Sequence, residues 1–596
     1  MQWMNLLGSG ARPVLALLLA GVSNGGQDPV DPGPQETAPE TSPVESPAPE
    51  PPARPASAYR FLGDREGLLS SWLGSGLAEP VALGTSAGGR DIFCVQFGAP
   101  GPLPLAERTT VLLLGGLDGI SLSGSEAVLQ ITSTLLADPE GLPADATFVA
   151  IPWSNPDGLA RRLATGCSDG RNDRALDDDR DGAVDEDLPD DLDGDGLVLE
   201  MLLEDPLGPW VRAEGGRFLR PARDGEAPRY LRVCEGRDDD GDGRYNEDPA
   251  GGVVLDRNFP VHWEGPWTGA LSGPWPLSEP ASRAIAEFAL ARRTALALLF
   301  QGNHGQLATP GGVPERAGVL ALPFASDGPA HRTVLEVFLR RTGRAQSGVR
   351  TLAEAYGEPR SGAAVDWFYA ACCALAFEVG VWGPGVSGSR TEMLEGQFER
   401  RPDGAGASDG SAQRQDARPL GSNVDLAWAR WLDETRGGLG FMDWQPIDVG
   451  NGRQALVGGW EPYTCLNPPA DVLSEATAGL DGFVRELARG LPRFELEVEE
   501  KSRDGIVCIL KVRARNSGAL PTGVGPAGPG AGARLTLVPP PGVTLLSGER
   551  SIELEHLPGQ GRSASQGWLI VAPEDTLFEL VIESPWTPPL RKEVRL

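Results

Sequence analysis

The sequence predicts an α/β protein built on a largely parallel sheet and followed by a small all-β sandwich. Three observations carry this expectation. Apolar runs rich in Val, Leu and Ile alternate with segments of helical period through most of the chain. From about Pro492 the helical period gives way to short alternating strands parted by Gly and Pro. At 596 residues the chain is also too long for one ordinary core, so two or more domains are expected.

Taken in order, residues 1–25 are read from the stretch "ARPVLALLLAGVSNGG" (11–26), one Arg before a short apolar run that ends in small residues. This is the pattern of an export signal, and the run is too short to span a bilayer. No Cys follows it to carry a lipid anchor. Residues 26–58 repeat Pro, Glu, Ser and Thr with almost no apolar residue and read as a stiff, uncored linker. "RTTVLLLGG" (108–116) reads as a buried strand, "SGSEAVLQITSTLLAD" (123–138) as a helix and "ATFVAIPWSNPDG" (146–158) as a strand ending in a turn. "SEPASRAIAEFALARR" (278–293) reads as a helix and "TALALLF" (294–300) as another strand. The segment "LSEATAGLDGFVRELARGL" (473–491) is expected as one helix closing the first domain, residues 59–490. "RFELEVEE", "IVCILKVRARN", "ARLTLVP" and "GWLIVAP" are the expected strands of the sandwich, residues 492–596.

The charge balance narrows the function. With 83 Asp and Glu against 52 Lys and Arg, the net charge of −31 repels phosphate backbones and excludes nucleic acid as a partner. Seven cysteines at irregular spacing, an odd number, rule out a fully paired disulfide framework within one chain. Cys372 and Cys373 lie in an apolar run and read as small buried hydrophobes. The export signal places the protein outside the cytoplasm, as a secreted, periplasmic or cell-surface protein.

An acidic insertion, residues 173–248, carries the clearest chemistry. "DDDRDGAVDE" (Asp177, Asp179, Asp181, Glu186), "DLDGDGLVLE" (Asp191, Asp193, Asp195, Glu200) and "DDDGDGRYNE" (Asp238, Asp240, Asp242, Glu247) share one spacing. Carboxylates at alternate positions converge when the chain turns, Gly permits the turn, and a later acid completes an oxygen cage suited to calcium. The final Glu comes too early for an EF-hand loop, so these are shorter calcium-type loops.

Six landmarks then occur in a recognisable order: "GGLDGISLSGSEA", "NPDG", "LDRNFPVHW", "SEPASRAI", "FQGNHGQLATP" and "DWFYAACCALAFEVGVW". In this the chain resembles the zinc carboxypeptidase family, the carboxypeptidase A-like metallopeptidases, over roughly residues 59–490, and its acidic loops are similar to insertions in some bacterial branches. The resemblance implies a mixed eight-stranded twisted sheet flanked by helices, a site at the strand ends, zinc as family cofactor and peptide or protein C-termini as partners.

The same resemblance exposes the departures. The family's first ligand turn, G-G-x-H-G-x-E-x-x-G-x-E-A, has here Asp118 in place of His and Ser121 in place of Glu, with the glycine frame intact. Gln301 stands where the third ligand, a His, belongs, and Gly380 where the general-base Glu belongs, with Glu378 roughly 7 Å away by strand rise. Of the substrate-carboxylate pair Asn-Arg, Arg257 remains and Asp256 replaces Asn; Arg171 falls near the position of the oxyanion Arg. An Asp, a Ser hydroxyl and a Gln amide make a poor zinc set beside imidazole. The sequence thus points to a non-catalytic, calcium-stabilised binding or scaffold protein; an active metallocarboxypeptidase with a rebuilt metal site, or a structural or adhesive surface protein, are the alternatives.

Overall fold

The computed structural model describes residues 59–596, apart from 178–181, 214, 247, 250, 269–270, 314–320, 384–385, 387–422, 451 and 526–531. The expected export signal and linker lie outside the described residues. The body is an eight-stranded sheet whose strands run, edge to edge, Ala78–Thr85, Asp91–Phe97, Ala146–Ile151, Thr109–Gly115, Arg293–Phe300, Leu375–Val379, Leu307–Thr309 and Arg350–Thr351. Its centre is parallel, and antiparallel pairings on either side make the sheet mixed. The central strands are buried on both faces, which is why they read as continuous apolar runs without alternation.

Register decides where the site falls. Gly115 pairs with Phe300, and Phe300 with Val379, so three parallel strands end side by side. The chain leaves these ends at Asp118, Gln301 and Gly380. Helix Leu122–Ala137 then packs back on the sheet with most of its first two turns buried. It approaches so closely that a Cβ on Gly124 would lie 1.8 Å from the Phe300 carbonyl oxygen, which explains the glycine there. Asn155 caps helix Pro156–Thr165 by accepting from Gly158 N at 3.1 Å, and Asp157 accepts from Ser86, Gly88 and Arg90. The "NPDG" stretch is therefore a strand-to-helix junction that ties down a neighbouring loop.

Two expectations change. The closing segment forms two helices, Leu473–Ala476 and Leu480–Arg489, because Gly479 at φ 75° breaks the run. The acidic insertion also supplies strands to a second, six-stranded sheet that the sequence did not suggest. Its order is Phe441–Asp448, Gln454–Trp460, Glu200–Glu204, Tyr230–Cys234, Trp210–Arg212, Leu219–Pro221. Two of these strands have only three residues, and Gln454–Trp460 pairs with Glu200–Glu204 far back along the chain, so no local period announces the sheet.

The C-terminal strands form two four-stranded sheets with Leu510, Leu535, Ile570 and Phe578 between them, the sandwich that alternation predicts. Trp586, Leu520 and Val524 leave that core and join the core of the α/β body. There Trp586 Nε1 donates to the Cys372 carbonyl at 3.4 Å and Gly525 N to Asp327 at 2.8 Å. Among the described residues no helix is long and apolar enough to cross a membrane.

Candidate metal centre and acidic loops

The floor at the strand ends is a closed hydrogen-bond network. Asp118, 5% exposed, accepts from Ile120 N and Ser121 N on one carboxylate oxygen, and from Ser121 Oγ (2.5 Å) and Gly302 N (3.1 Å) on the other. Ser121 Oγ also accepts from Gly302 N at 2.8 Å. Gln301 is fully buried; its amide oxygen accepts from Asp118 N, and its amide nitrogen donates to Asp256 (2.9 Å) and Glu378 (2.8 Å). The other oxygen of Glu378 accepts from Tyr356 Oη at 2.6 Å and bonds His304 Nε2 at 3.0 Å. His304 Nδ1 accepts from Gln306 N at 3.1 Å, which leaves the ring proton on Nε2, donated to Glu378.

Zinc does not fit this arrangement. Each atom that would face a metal at Asp118, Ser121 and Gln301 is already spent on a neighbour, and Gln301 presents N–H donors to two carboxylates. Among the described residues, three His, Cys, Asp or Glu donors come within 4.8 Å of one another only in two acidic loops, never at this floor. His304 also bears on Gly380, the position where the resemblance expects a base. A Cβ on Gly380 would lie 2.5 Å from His304 Nδ1, 2.7 Å from its Cε1 and 2.7 Å from Gly305 N, so the imidazole fills the space a glutamate would need. Gly302, at φ 74°, is constrained likewise, with a Cβ 2.4 Å from Tyr356 Oη.

Electrostatics agree with a sealed floor. Burial, then Glu378, push the Asp256 carboxyl up to about 7, against the pull of Arg360 and the Ala364 N–H. Burial also raises Asp118, although the Ser121 bonds pull it down. Burial pushes Glu378 up too, but the His304 bond, the Arg360 guanidinium and the Tyr356 hydroxyl outweigh it and leave its pKa below the ordinary value. Arg360 is buried and lies 3.9 Å over the Tyr356 ring. Tyr356 and Arg360 escaped the sequence reading; the one readable signal nearby is the Thr351–Glu354 capping box that starts the helix bearing Tyr356.

The two arginines that the resemblance places on a substrate side differ. Arg171 is buried and held by Asp169 at 2.9 Å, with its backbone bridged to Val254. Arg257 is half-buried on the turn Leu255–Arg257, beside Asp256, whose two oxygens go to Gln301 and to Ala364 N.

In the acidic insertion the structure groups Asp191, Asp193 and Asp195, and separately Asp238, Asp240 and Asp242, each set offering oxygens within 4.8 Å of one another. Two oxygens bound to one calcium at about 2.4 Å can be no farther apart than about 4.8 Å, so the spacing fits. Both loops fold alike. Asp191 accepts from Gly194 N and Gly196 N, and Asp238 from Gly241 N and Gly243 N. In the first loop Asp177 accepts from Gly182 N, while Asp179 and Asp181 lie outside the described residues, as does Glu247. Glu186 is half-buried, and Glu200 opens a strand and is ion-paired with Arg232, outside its loop's carboxylate group.

The sequence reading also missed the braces. Buried Glu235 accepts from Leu192 N (2.7 Å) and Leu199 N (2.9 Å), the second and ninth positions of one loop. Buried Asp187 accepts from Asp239 N and Asn246 N, the same two positions of another. Asp248 accepts from Asp185 N, the ninth position of the first. Asp187 directly follows the first loop and Asp248 the third, so these two loops brace each other.

Comparison with protein-family models gave no match, and neither did comparison with curated proteins. Among solved structures, bovine thrombin-activatable fibrinolysis inhibitor in complex with tick carboxypeptidase inhibitor is similar at 13% identity, covering 54% of this chain and 86% of that one, with a TM-score of 0.35. Carboxypeptidase A from Helicoverpa armigera is similar at 15% identity over 55% and 65%, with a TM-score of 0.36. A metallo-carboxypeptidase from Burkholderia cenocepacia is similar at 12% identity over 54% and 60%, with a TM-score of 0.31.

Proposed function

We propose that this chain is a non-catalytic, carboxypeptidase-like binding or scaffold protein of the extracytoplasmic space, stabilised by calcium in its acidic insertion. The observation that carries the reading is the floor itself. Gln301 spends its amide bridging Asp256 and Glu378, and the His304 ring occupies the place of the base over Gly380. A hydrolytic zinc needs three good donors, an open position for water and a base within reach of that water. A set of one carboxylate, one hydroxyl and one amide, each already hydrogen-bonded, supplies none of these.

Calcium in the loops is supported by the oxygen spacing of Asp191, Asp193 and Asp195 and of Asp238, Asp240 and Asp242. A bound cation would offset the repulsion of so many like charges. Arg257 remains the residue able to hold a peptide C-terminal carboxylate bidentately. The test is metal analysis of the purified full chain together with hydrolysis of C-terminal peptide substrates. The reading expects bound calcium, no stoichiometric zinc and no turnover. Stoichiometric zinc with turnover would overturn it in favour of an active metallocarboxypeptidase.

A further inference from the structure

We infer that Cys167 and Cys234 form a reversible disulfide that fastens the acidic insertion to the α/β body. Their sulfurs lie 3.6 Å apart across 67 residues of sequence. A disulfide needs about 2.05 Å, so the sulfurs must close by roughly 1.5 Å, within reach of small side-chain rotations.

Both anchors are fixed. Cys167 follows Gly166, the left-handed cap of helix Pro156–Thr165, and its N–H donates to Thr165 Oγ1 at 3.2 Å. Cys234 ends the strand Tyr230–Cys234, pairs in register with Glu200, and its carbonyl accepts from Asn246 Nδ2 at 2.8 Å. One thiol belongs to the body, and the other sits among the braces of the acidic loops.

The two sulfurs are suited to unequal roles. Cys234 is half-buried, whereas Cys167 is buried. The hydrogen bond between the two sulfurs draws the Cys167 thiol below its ordinary range despite burial, and the same contact, with burial, raises Cys234. Cys94 shows the contrast: burial pushes it up to about 12, and it stays an inert core residue.

The oxidant is a low-molecular-weight or protein disulfide. Cys234 gives up its proton and attacks one sulfur of that disulfide as the thiolate, forming a mixed disulfide while the other sulfur leaves and takes up a proton as a thiol. Cys167 then attacks the Cys234 sulfur and releases the second thiol. Two protein thiols and one external disulfide thus become one protein disulfide and two external thiols. Glu235, next to Cys234, holds both ends of the Asp191–Glu200 loop, so the bond would tie that brace to the body.

The test uses the full chain equilibrated with oxidised glutathione, then denatured, alkylated and mapped by mass spectrometry. The expected result is one cross-linked peptide pair containing Cys167 and Cys234, lost on reduction, and melting that reduction lowers in the parent but not in Cys167→Ser. Should Cys167→Ser fail to fold, Cys234→Ser serves, since neither variant can form the cross-link. Recovery of Cys167 and Cys234 without that cross-link after equilibration with excess oxidised glutathione would overturn the inference.

Discussion

Replacing Gly380 with alanine tests the claim that His304 has taken the place of the catalytic base. The new Cβ would stand 2.5 Å and 2.7 Å from the imidazole and 2.7 Å from Gly305 N. Neither neighbour can yield cheaply. The ring is held at both nitrogens, by Gln306 N at 3.1 Å and Glu378 at 3.0 Å. The backbone is held by the half-buried Arg344, whose guanidinium donates to the carbonyls of Gly380 (2.5 Å), Val381 (2.9 Å) and Ala476 (2.7 Å). Overpacking of this kind costs about 1–3 kcal/mol. Weakening one buried hydrogen bond of the ring adds about 1 kcal/mol. We therefore expect Gly380→Ala to lose about 3 kcal/mol in urea unfolding. Gly67, on a helix with nothing within 4 Å of its would-be Cβ, is the control, and there alanine should gain up to about 1 kcal/mol. In His304→Ala/Gly380→Ala the ring clash disappears, so the double variant should cost at least about 1 kcal/mol less than the sum of the singles. A Gly380→Ala protein within about 0.5 kcal/mol of the parent, or strict additivity in the double variant, would refute the reasoning.

Four further outcomes follow from the same contacts. Gln301→Leu strips Asp256 and Glu378 of their shared donor and should cost about 2–4 kcal/mol, read by chemical denaturation at pH 8. His331, buried against Tyr369 and Phe377 with neither ring nitrogen hydrogen-bonded, has its pKa lowered to about 4 by burial, opposed by Asp327. The folded state keeps this ring neutral, so its contribution is full above about pH 6.5 and is lost as pH falls towards 4, by about 3 kcal/mol in all; His331→Leu should flatten that part of the stability profile. Chelation should lower the melting temperature and calcium restore it, and Asp193→Ala and Asp240→Ala should each remove one bound calcium in equilibrium dialysis. Asp187→Ala removes the brace from Asp239 N and Asn246 N, and limited proteolysis should then cut near 238–247 before the rest of the chain.

Much of the fold was legible because its signals are local. Strands such as Thr109–Gly115 and Arg293–Phe300, buried on both faces, show as unbroken apolar runs, and the sandwich strands show as alternation. The helix break at Gly479 was missed because its flanks share one apolar stripe, and only the left-handed φ at that residue divides them. The six-stranded sheet was missed because strands far apart in sequence pair within it, as Gln454–Trp460 does with Glu200–Glu204.

At the floor, the resemblance to the zinc carboxypeptidases set the expectation that Asp118, Ser121, Gln301 and Gly380 stand where that family carries imidazoles and carboxylates. The sequence by itself determined the three acidic repeats, since a carboxylate at every second position is a property of spacing alone. Only the tertiary structure decided what replaced the missing groups. Gln301 and His304, Tyr356 and Arg360, and Glu378 come from three separate segments, which register and turns must bring together before these side chains meet. The same holds for Asp187 and Glu235, whose burial between loops gives a carboxylate its effect on backbone N–H groups far away in sequence. Residue identity fixes which bonds a side chain is able to make; distance and desolvation, which belong to the folded chain, fix which of them form.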